Sequence, residues 1–116
     1  MNLDIVKSEL PEFDMETGVK FCGGDPEFLA EILEDYIAES KDELLAQYFE
    51  EENWDAYAVD VHGLKGSSRT VGFTALGDEC EVLQFAAEAK DAEKIKANHP
   101  AMMEHLTRIL NVLKNA

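Results

Sequence analysis

The stretch Val59–Phe73, VDVHGLKGSSRTVGF, places one histidine among small and basic residues with apolar residues at helical spacing. It belongs to a predicted helix that Asn53 caps and that runs from Trp54 to about Val71. With about 100° of rotation per residue, one face gathers the residues that we expect in the core: Tyr57, Val61, Leu64, Ser68 and Val71. His62 lies about 140° from the centre of that face, so we expect its side chain to point to solvent or into a groove.

The rest of the chain predicts further amphipathic helices with short connections. Asp25-Pro26 is a strong helix start, since Asp caps free N–H groups and Pro suits the first helical position. Apolar residues that recur every three or four positions extend this helix to about Phe49. The main helices are predicted over residues 25–49, 54–71, 74–89 and 92–114. Pro100 predicts a kink or break in the last one, because proline removes a backbone donor and clashes with the preceding turn.

Shorter elements precede these helices. Residues 1–13 form an N-terminal extension with a weak first helix, and Asp14 begins a short helical turn that Gly23-Gly24 stops. No segment shows the pattern of a strand. We therefore predict an all-α fold, an up-down antiparallel four-helix bundle with one or two short N-terminal helices, in a single domain of residues 1–116.

The charge of the chain excludes several classes of partner. The 116 residues carry a formal net charge of −15, which argues against nucleic acid and anionic membranes, because both attract basic surfaces. No apolar run approaches the ~18 residues of a membrane span, and the first residues lack an apolar signal region. We therefore expect a cytoplasmic protein, and a monomer. Cys22 and Cys80 form no C-x-x-C pair and are expected to be reduced core thiols.

Motifs of enzymes and metal sites are absent from the sequence. There is no G-x-S-x-G nucleophile elbow and no G-x-x-x-x-G-K-[ST] phosphate loop. His62, His99 and His105 lack H-x-x-x-H spacing, and no E-x-x-H pair is repeated on a second helix. We therefore expect neither an enzyme with its own catalytic site nor a metal centre.

His62 stands in an acid-free part of an acidic chain. Residues 61–77 contain Lys65, Arg69 and no acid, a formal charge of +2, whereas the other residues hold eight basic and all 25 acidic side chains, a formal charge of −17. An unperturbed imidazole has a pKa of about 6.5, and its neutral form is a nucleophile near pH 7. A phosphoryl group on the ring would bring roughly two negative charges, which Lys65 and Arg69 would offset. This pattern is typical of a phosphoryl carrier.

The neighbours of His62 would admit a phosphoryl group and a docking protein. Gly66 has no side chain to obstruct approach, although glycine inside a helix costs ~1 kcal/mol relative to alanine. Ala58, Val59 and Phe73 are predicted to add apolar docking surface. Taken singly these features have simpler explanations, since a helical histidine is commonly just a surface residue.

The residues from His62 onward resemble the histidine-containing phosphotransfer (HPt) domain family. The family pattern is H-x-L-K-G-[SA]-[SA], an apolar-Gly pair, a Leu, a Cys, and a Leu followed by Glu or Gln. The chain matches it at the expected spacing with His62, Leu64, Lys65, Gly66, Ser67, Ser68, Val71, Gly72, Leu76, Cys80, Leu83 and Gln84. The resemblance covers about residues 14–113. Phe73 departs from it where a small residue is often seen, and Pro100 departs from it within what is commonly a continuous helix.

The resemblance implies a four-helix bundle whose exposed mid-helix histidine, here His62, accepts a phosphoryl group. It implies that Lys65 lies near that group, that Gly66 leaves access to it, and that Gln84 hydrogen-bonds the imidazole. The implied partner is the receiver domain of a response regulator, which supplies the aspartate and Mg²⁺, with a hybrid histidine kinase as a further partner. The chain itself would hold no cofactor.

Two other functions remain open. The first is a non-catalytic helical module that binds a receiver or kinase domain without accepting phosphate. The second is a metalloprotein that uses His62 and Cys80, which is disfavoured because these residues lie on different faces.

Overall fold

The chain folds into seven α-helices and no strand. A computed structural model describes all 116 residues. In chain order the helices are α1 (Leu3–Glu9), α2 (Met15–Phe21), α3 (Pro26–Ala38), α4 (Asp42–Glu51), α5 (Trp54–Val71), α6 (Thr74–Glu88) and α7 (Ala92–Asn115). The predicted all-α bundle is confirmed, and α1 and α2 are its two short N-terminal helices. None of the helices is long and apolar enough to cross a membrane.

Side-chain caps set the predicted helix starts. Asp25 accepts a hydrogen bond of 3.0 Å from the backbone N–H two residues later, with Pro26 as the first residue of α3. Asn53 and Asp91 accept bonds of 3.3 and 3.2 Å from the N–H three residues later, at the starts of α5 and α7. Such caps satisfy N–H groups that a helix start leaves unpaired.

The helix predicted over residues 25–49 is divided, so that prediction is wrong. Three residues separate α3 from α4, and Ser40 Oγ donates a hydrogen bond of 3.1 Å to the Asp42 carboxylate there. The reason lies in the core. In one continuous helix Leu45 would point about 160° away from Leu29, toward solvent. The break turns Leu45 inward, and both leucines are fully buried.

α7 runs through Pro100 as one continuous helix, so the break that was one of the two predicted outcomes is absent. His99, the preceding residue, is buried, and its ring stacks on Phe49 with the ring centroids 3.9 Å apart. A hydrogen bond of 2.8 Å links His99 Nδ1 to Tyr57 Oη. The apolar face of α7 is buried on both sides of the proline. Tertiary packing therefore outweighs the local penalty of the proline.

α5 buries the face that the sequence predicts. Its buried residues are Trp54, Tyr57, Val61, Leu64, Ser68 and Val71. The polar Ser68 is fully buried, and a hydrogen bond of 2.8 Å joins its Oγ to Tyr36 Oη of α3. The opposite face of α5, which carries His62, is exposed.

Phe73 belongs to the core, so its predicted role as docking surface is wrong. The side chain is fully buried. Its ring centroid lies 5.0 Å from that of Phe13 and 6.0 Å from that of Tyr36. Phe13 belongs to the N-terminal extension, which also buries Leu3, Val6 and Leu10. Helical periodicity could not reveal this contact, because it joins distant parts of the chain.

The turn between α5 and α6 fixes how these two helices meet. Gly72 ends α5 with a φ of 102°, and its carbonyl accepts a hydrogen bond of 2.8 Å from the Asp14 N–H. A Cβ at this position would clash with the Asp14 carbonyl oxygen. The backbone conformation and the close approach both require glycine here.

Gly72→Ala should destabilise the fold by about 1–3 kcal/mol from backbone strain alone, with the clash against Asp14 added. Urea denaturation measures the free energy of unfolding. Gly63→Ala is the matched control, since the helical Gly63 has nothing within 4 Å of an added Cβ. The control should gain ~1 kcal/mol from helix propensity. Equal stability of the two variants would contradict a steric requirement at Gly72.

Acid should weaken the fold through His99. Burial lowers the pKa of His99 below its ordinary value. As the pH falls, the unfolded chain protonates this residue near pH ~6.5, before the folded protein does. The free energy of unfolding should therefore decrease as the pH drops from about 6.5 toward the folded pKa.

His99→Gln isolates this effect, because every other titrating group is present in both proteins. The stability advantage of the wild type over the variant should shrink between about pH 7.5 and about pH 5, measured by urea denaturation. A difference that stays constant over this range would show that His99 takes up protons equally in both states.

Candidate functional site

His62 projects from the middle of α5 on the face opposite the core. Its side chain is exposed. Val61 and Leu64, which lie beside it in sequence, are buried and fix the helix at that level. The imidazole is therefore open to solvent on a backbone that the core holds in place.

Gln84 of α6 orients the His62 ring. Gln84 is only 8% exposed, and its Oε1 lies 3.0 Å from His62 Nδ1. A carbonyl oxygen only accepts hydrogen bonds, so Nδ1–H is the donor. In the neutral ring this leaves Nε2 without a hydrogen, and its lone pair is available to react. The structure thus brings together the two residues that the sequence motif places on separate helices.

Lys65 lies one turn beyond His62 on α5, and its side chain lies over the ring of Phe85 on α6. The Lys65 ammonium stands 5.8 Å from the centroid of the Phe85 ring, within cation–π range. Phe85 is 57% exposed. No role for Phe85 followed from the sequence. Its position next to Gln84 and off the apolar face of α6 was the signal that could have assigned it to the site.

Gly63 and Gly66 have no side chains to cover the backbone of α5 beside His62. Both are exposed, and a Cβ added at either position would meet nothing within 4 Å. No group of this chain therefore requires glycine at either position. The space is open to an incoming molecule.

Arg69 is held by two acids of α6. Its guanidinium donates hydrogen bonds of 2.9 Å to Asp78 and 3.2 Å to Glu81. The hydrogen bond to Asp78, together with that to Glu81, raises the pKa of Arg69 above its ordinary value. Its side chain crosses Gly77, where an added Cβ would lie 2.5 Å from Arg69 Cγ. The acid-free window of the sequence is therefore not acid-free in space, and the charge of Arg69 is already compensated.

The predicted docking residues differ in exposure. Val59 is 70% exposed, Ala58 is half-buried, and Phe73 lies in the core as described above. A cleft of about 320 Å³ opens on the flank of α5 between Val59, Gly63 and the α3–α4 connection at Lys41. The break that separates α3 from α4 thus lies against the helix that carries His62.

Cys80 is fully buried and burial raises the pKa of its thiol to about 12. The thiol is therefore protonated at neutral pH and unsuited to bind a metal. No group of three or more His, Cys, Asp or Glu side chains is arranged to hold a metal ion. Cys22 and Cys80 are both free and buried, as predicted.

Comparison with known proteins identifies the family. A family model described as the Hpt domain matches residues 28–116. "Phosphorelay intermediate protein rdeA" of Dictyostelium discoideum is 23% identical over 106 residues, which cover 90% of this chain and 42% of that protein. The chain thus spans less than half the length of this relative. No solved structure matches it significantly. Since the family model covers most of its residues, and the residues around His62 match the motif, this chain belongs to the Hpt domain family.

Proposed function

We propose that this protein is a phosphoryl carrier of a two-component phosphorelay, with His62 as the residue that carries the phosphoryl group. The observation that supports this most directly is the 3.0 Å contact of His62 Nδ1 with Gln84 Oε1, which leaves Nε2 of an exposed ring free. The relative named as a phosphorelay intermediate supports the same role. The protein acts as a monomer in this proposal.

In the transfer step this chain supplies the nucleophile. The Nε2 lone pair attacks the phosphorus of an aspartyl phosphate on a receiver domain, the P–O bond to the aspartate breaks, and the carboxylate leaves. The ring keeps Nδ1–H, and Gln84 Oε1 accepts its hydrogen bond while the ring carries positive charge. Transfer to a second receiver is the same step in reverse. The donor is a receiver domain, either separate or part of a hybrid histidine kinase, and Mg²⁺ belongs to that partner.

The surface around His62 suits a docked protein. Val59 and Phe85 place exposed apolar groups on either side of the histidine, and the bare backbone at Gly63 and Gly66 permits close approach. Lys65 is the cation near the site that forms no ion pair within the chain. It offsets the charge of the phosphoryl group when a partner delivers it.

Phosphorylated receiver domains should label the wild type with acid-labile phosphate, and His62→Gln should take up none. His105→Gln is the matched control, since it removes a histidine distant from this surface, and it should be labelled like the wild type. Phosphate is measured after a short incubation with a panel of labelled receivers. Undiminished label in His62→Gln would refute the assignment.

The same experiment tests the non-catalytic alternative. A wild type that binds a receiver but never takes up label, together with unchanged affinity in His62→Gln, would identify a binding module rather than a carrier. Uptake that follows His62 alone would exclude it.

Lys65→Ala should slow phosphoryl transfer about tenfold, equivalent to ~1.4 kcal/mol of transition-state stabilisation. Stability should hardly change, because Lys65 lies on the surface of α5. Lys65→Arg keeps the charge and should retain most of the rate. Lys94→Ala removes one exposed lysine of α7 and serves as the control for net charge. Transfer kinetics that are the same for Lys65→Ala and the wild type would remove Lys65 from the site.

A further inference from the structure

Three polar side chains form a short hydrogen-bonded chain that ends at the proposed phosphoacceptor. Glu88 Oε2 accepts a hydrogen bond of 3.4 Å from Gln84 Nε2, and Gln84 Oε1 contacts His62 Nδ1 at 3.0 Å. Gln84 and Glu88 are one helical turn apart on α6, so their side chains share a face. Glu88 is exposed, whereas Gln84, which lies between it and the histidine, is a buried residue.

The buried amide has two ends of similar shape, and either end could meet the ring. With the carbonyl toward His62, Nδ1 carries the hydrogen and Nε2 is the free nitrogen. With the NH₂ group toward His62, Nδ1 becomes the acceptor, and the hydrogen moves to Nε2. Gln84 alone therefore does not determine which nitrogen of the ring is the nucleophile.

Glu88 favours one of the two orientations of the Gln84 amide over the other. A carboxylate only accepts hydrogen bonds, so it pairs with the NH₂ end of Gln84 and repels the carbonyl end. Turning the amide over would set the Gln84 oxygen against the Glu88 oxygens and lose this hydrogen bond. We propose that Glu88 is a positioning residue, which fixes the Gln84 amide and thereby makes Nε2 the nucleophilic nitrogen of His62. The link to phosphoryl transfer rests on the proposed function; the effect on the ring hydrogen does not.

Glu88 could act through its charge or through the orientation of Gln84, and these two roles predict opposite effects of Glu88→Lys on the rate of transfer. A carboxylate near the site repels the roughly two negative charges of an incoming phosphoryl group. If Glu88 acted by charge alone, Glu88→Lys would speed transfer. If it orients Gln84, a lysine ammonium, which only donates hydrogen bonds, attracts the carbonyl end of the amide and turns the NH₂ end toward His62. Glu88→Lys then places the hydrogen on Nε2 and slows transfer.

The ring hydrogen can be observed without any partner. Long-range ¹H–¹⁵N spectra of the unphosphorylated protein distinguish the protonated from the unprotonated ring nitrogen, at a pH where the ring is neutral. The wild type should show the hydrogen of His62 on Nδ1. Glu88→Lys should shift the population toward Nε2–H. Glu88→Gln should largely keep the wild-type state, because its side-chain oxygen still accepts from Gln84 Nε2.

Transfer rates from a phosphorylated receiver complete the test. Glu88→Lys should be slower than the wild type by about tenfold, the scale of one hydrogen bond, and Glu88→Gln should restore most of the rate. Glu34→Lys, at an exposed position of α3, makes the same change in net charge and should leave both the spectrum and the rate unchanged.

The outcomes separate the two proposals. An unchanged position of the hydrogen in Glu88→Lys, or faster transfer in that variant, would overturn the positioning role of Glu88. A shifted hydrogen in Glu88→Lys, in a protein whose wild type accepts no phosphate from any receiver, would sustain the role of Glu88 at the ring and overturn the proposed function.

Discussion

The packing of α5 against α6 is the constraint on which the site depends. α5 contacts α6 more extensively than any other pair of helices in the fold. Gly72 and the buried Phe73 fix the turn between the two helices, and the Asp14 N–H binds the Gly72 carbonyl from outside the pair. This arrangement brings Gln84 within 3.0 Å of His62. A small rotation of either helix would break that contact, so the orientation of the His62 ring depends on how the core packs the two helices.

The charged side chains around the stretch that carries His62 are distributed differently in the folded structure than along the sequence. The acid-free window around His62 holds two cations, but Arg69 reaches across α6 to Asp78 and Glu81, which lie just outside the window. Exposed ion pairs of this kind contribute little to stability, because solvent screens them. They leave Lys65 as the cation near His62 along α5 that forms no ion pair within the chain. The Lys65 ammonium lies 5.8 Å from the centroid of the Phe85 ring, within cation–π range.

Helical periodicity predicts which face of a single helix is buried. It correctly assigned the buried face of α5. The contact of Gln84 with His62 was implied by the resemblance to the family and not by periodicity. Periodicity failed wherever contacts between distant segments decide the outcome. The position of Leu45 required a break that no single-helix pattern contains, and Phe73 is buried by a residue of the N-terminal extension. The partners of Arg69 come from the next helix, which sequence distance alone could not reveal.

The packing of the chain explains why some of its helical and turn positions are glycine, but it does not explain others. At Gly18, Gly72 and Gly77 an added Cβ would collide with backbone or side-chain atoms, so packing requires glycine there. Gly63 and Gly66 are different, because nothing of this chain lies within 4 Å of an added Cβ at either position. Each lowers helix stability by ~1 kcal/mol relative to alanine. The free energy of unfolding of a folded domain is typically only about 5–15 kcal/mol. Both lie within about 100° of His62 around α5. Packing within the folded chain therefore gives no reason for glycine at either position, which is why both support the proposed docking of a partner at this face.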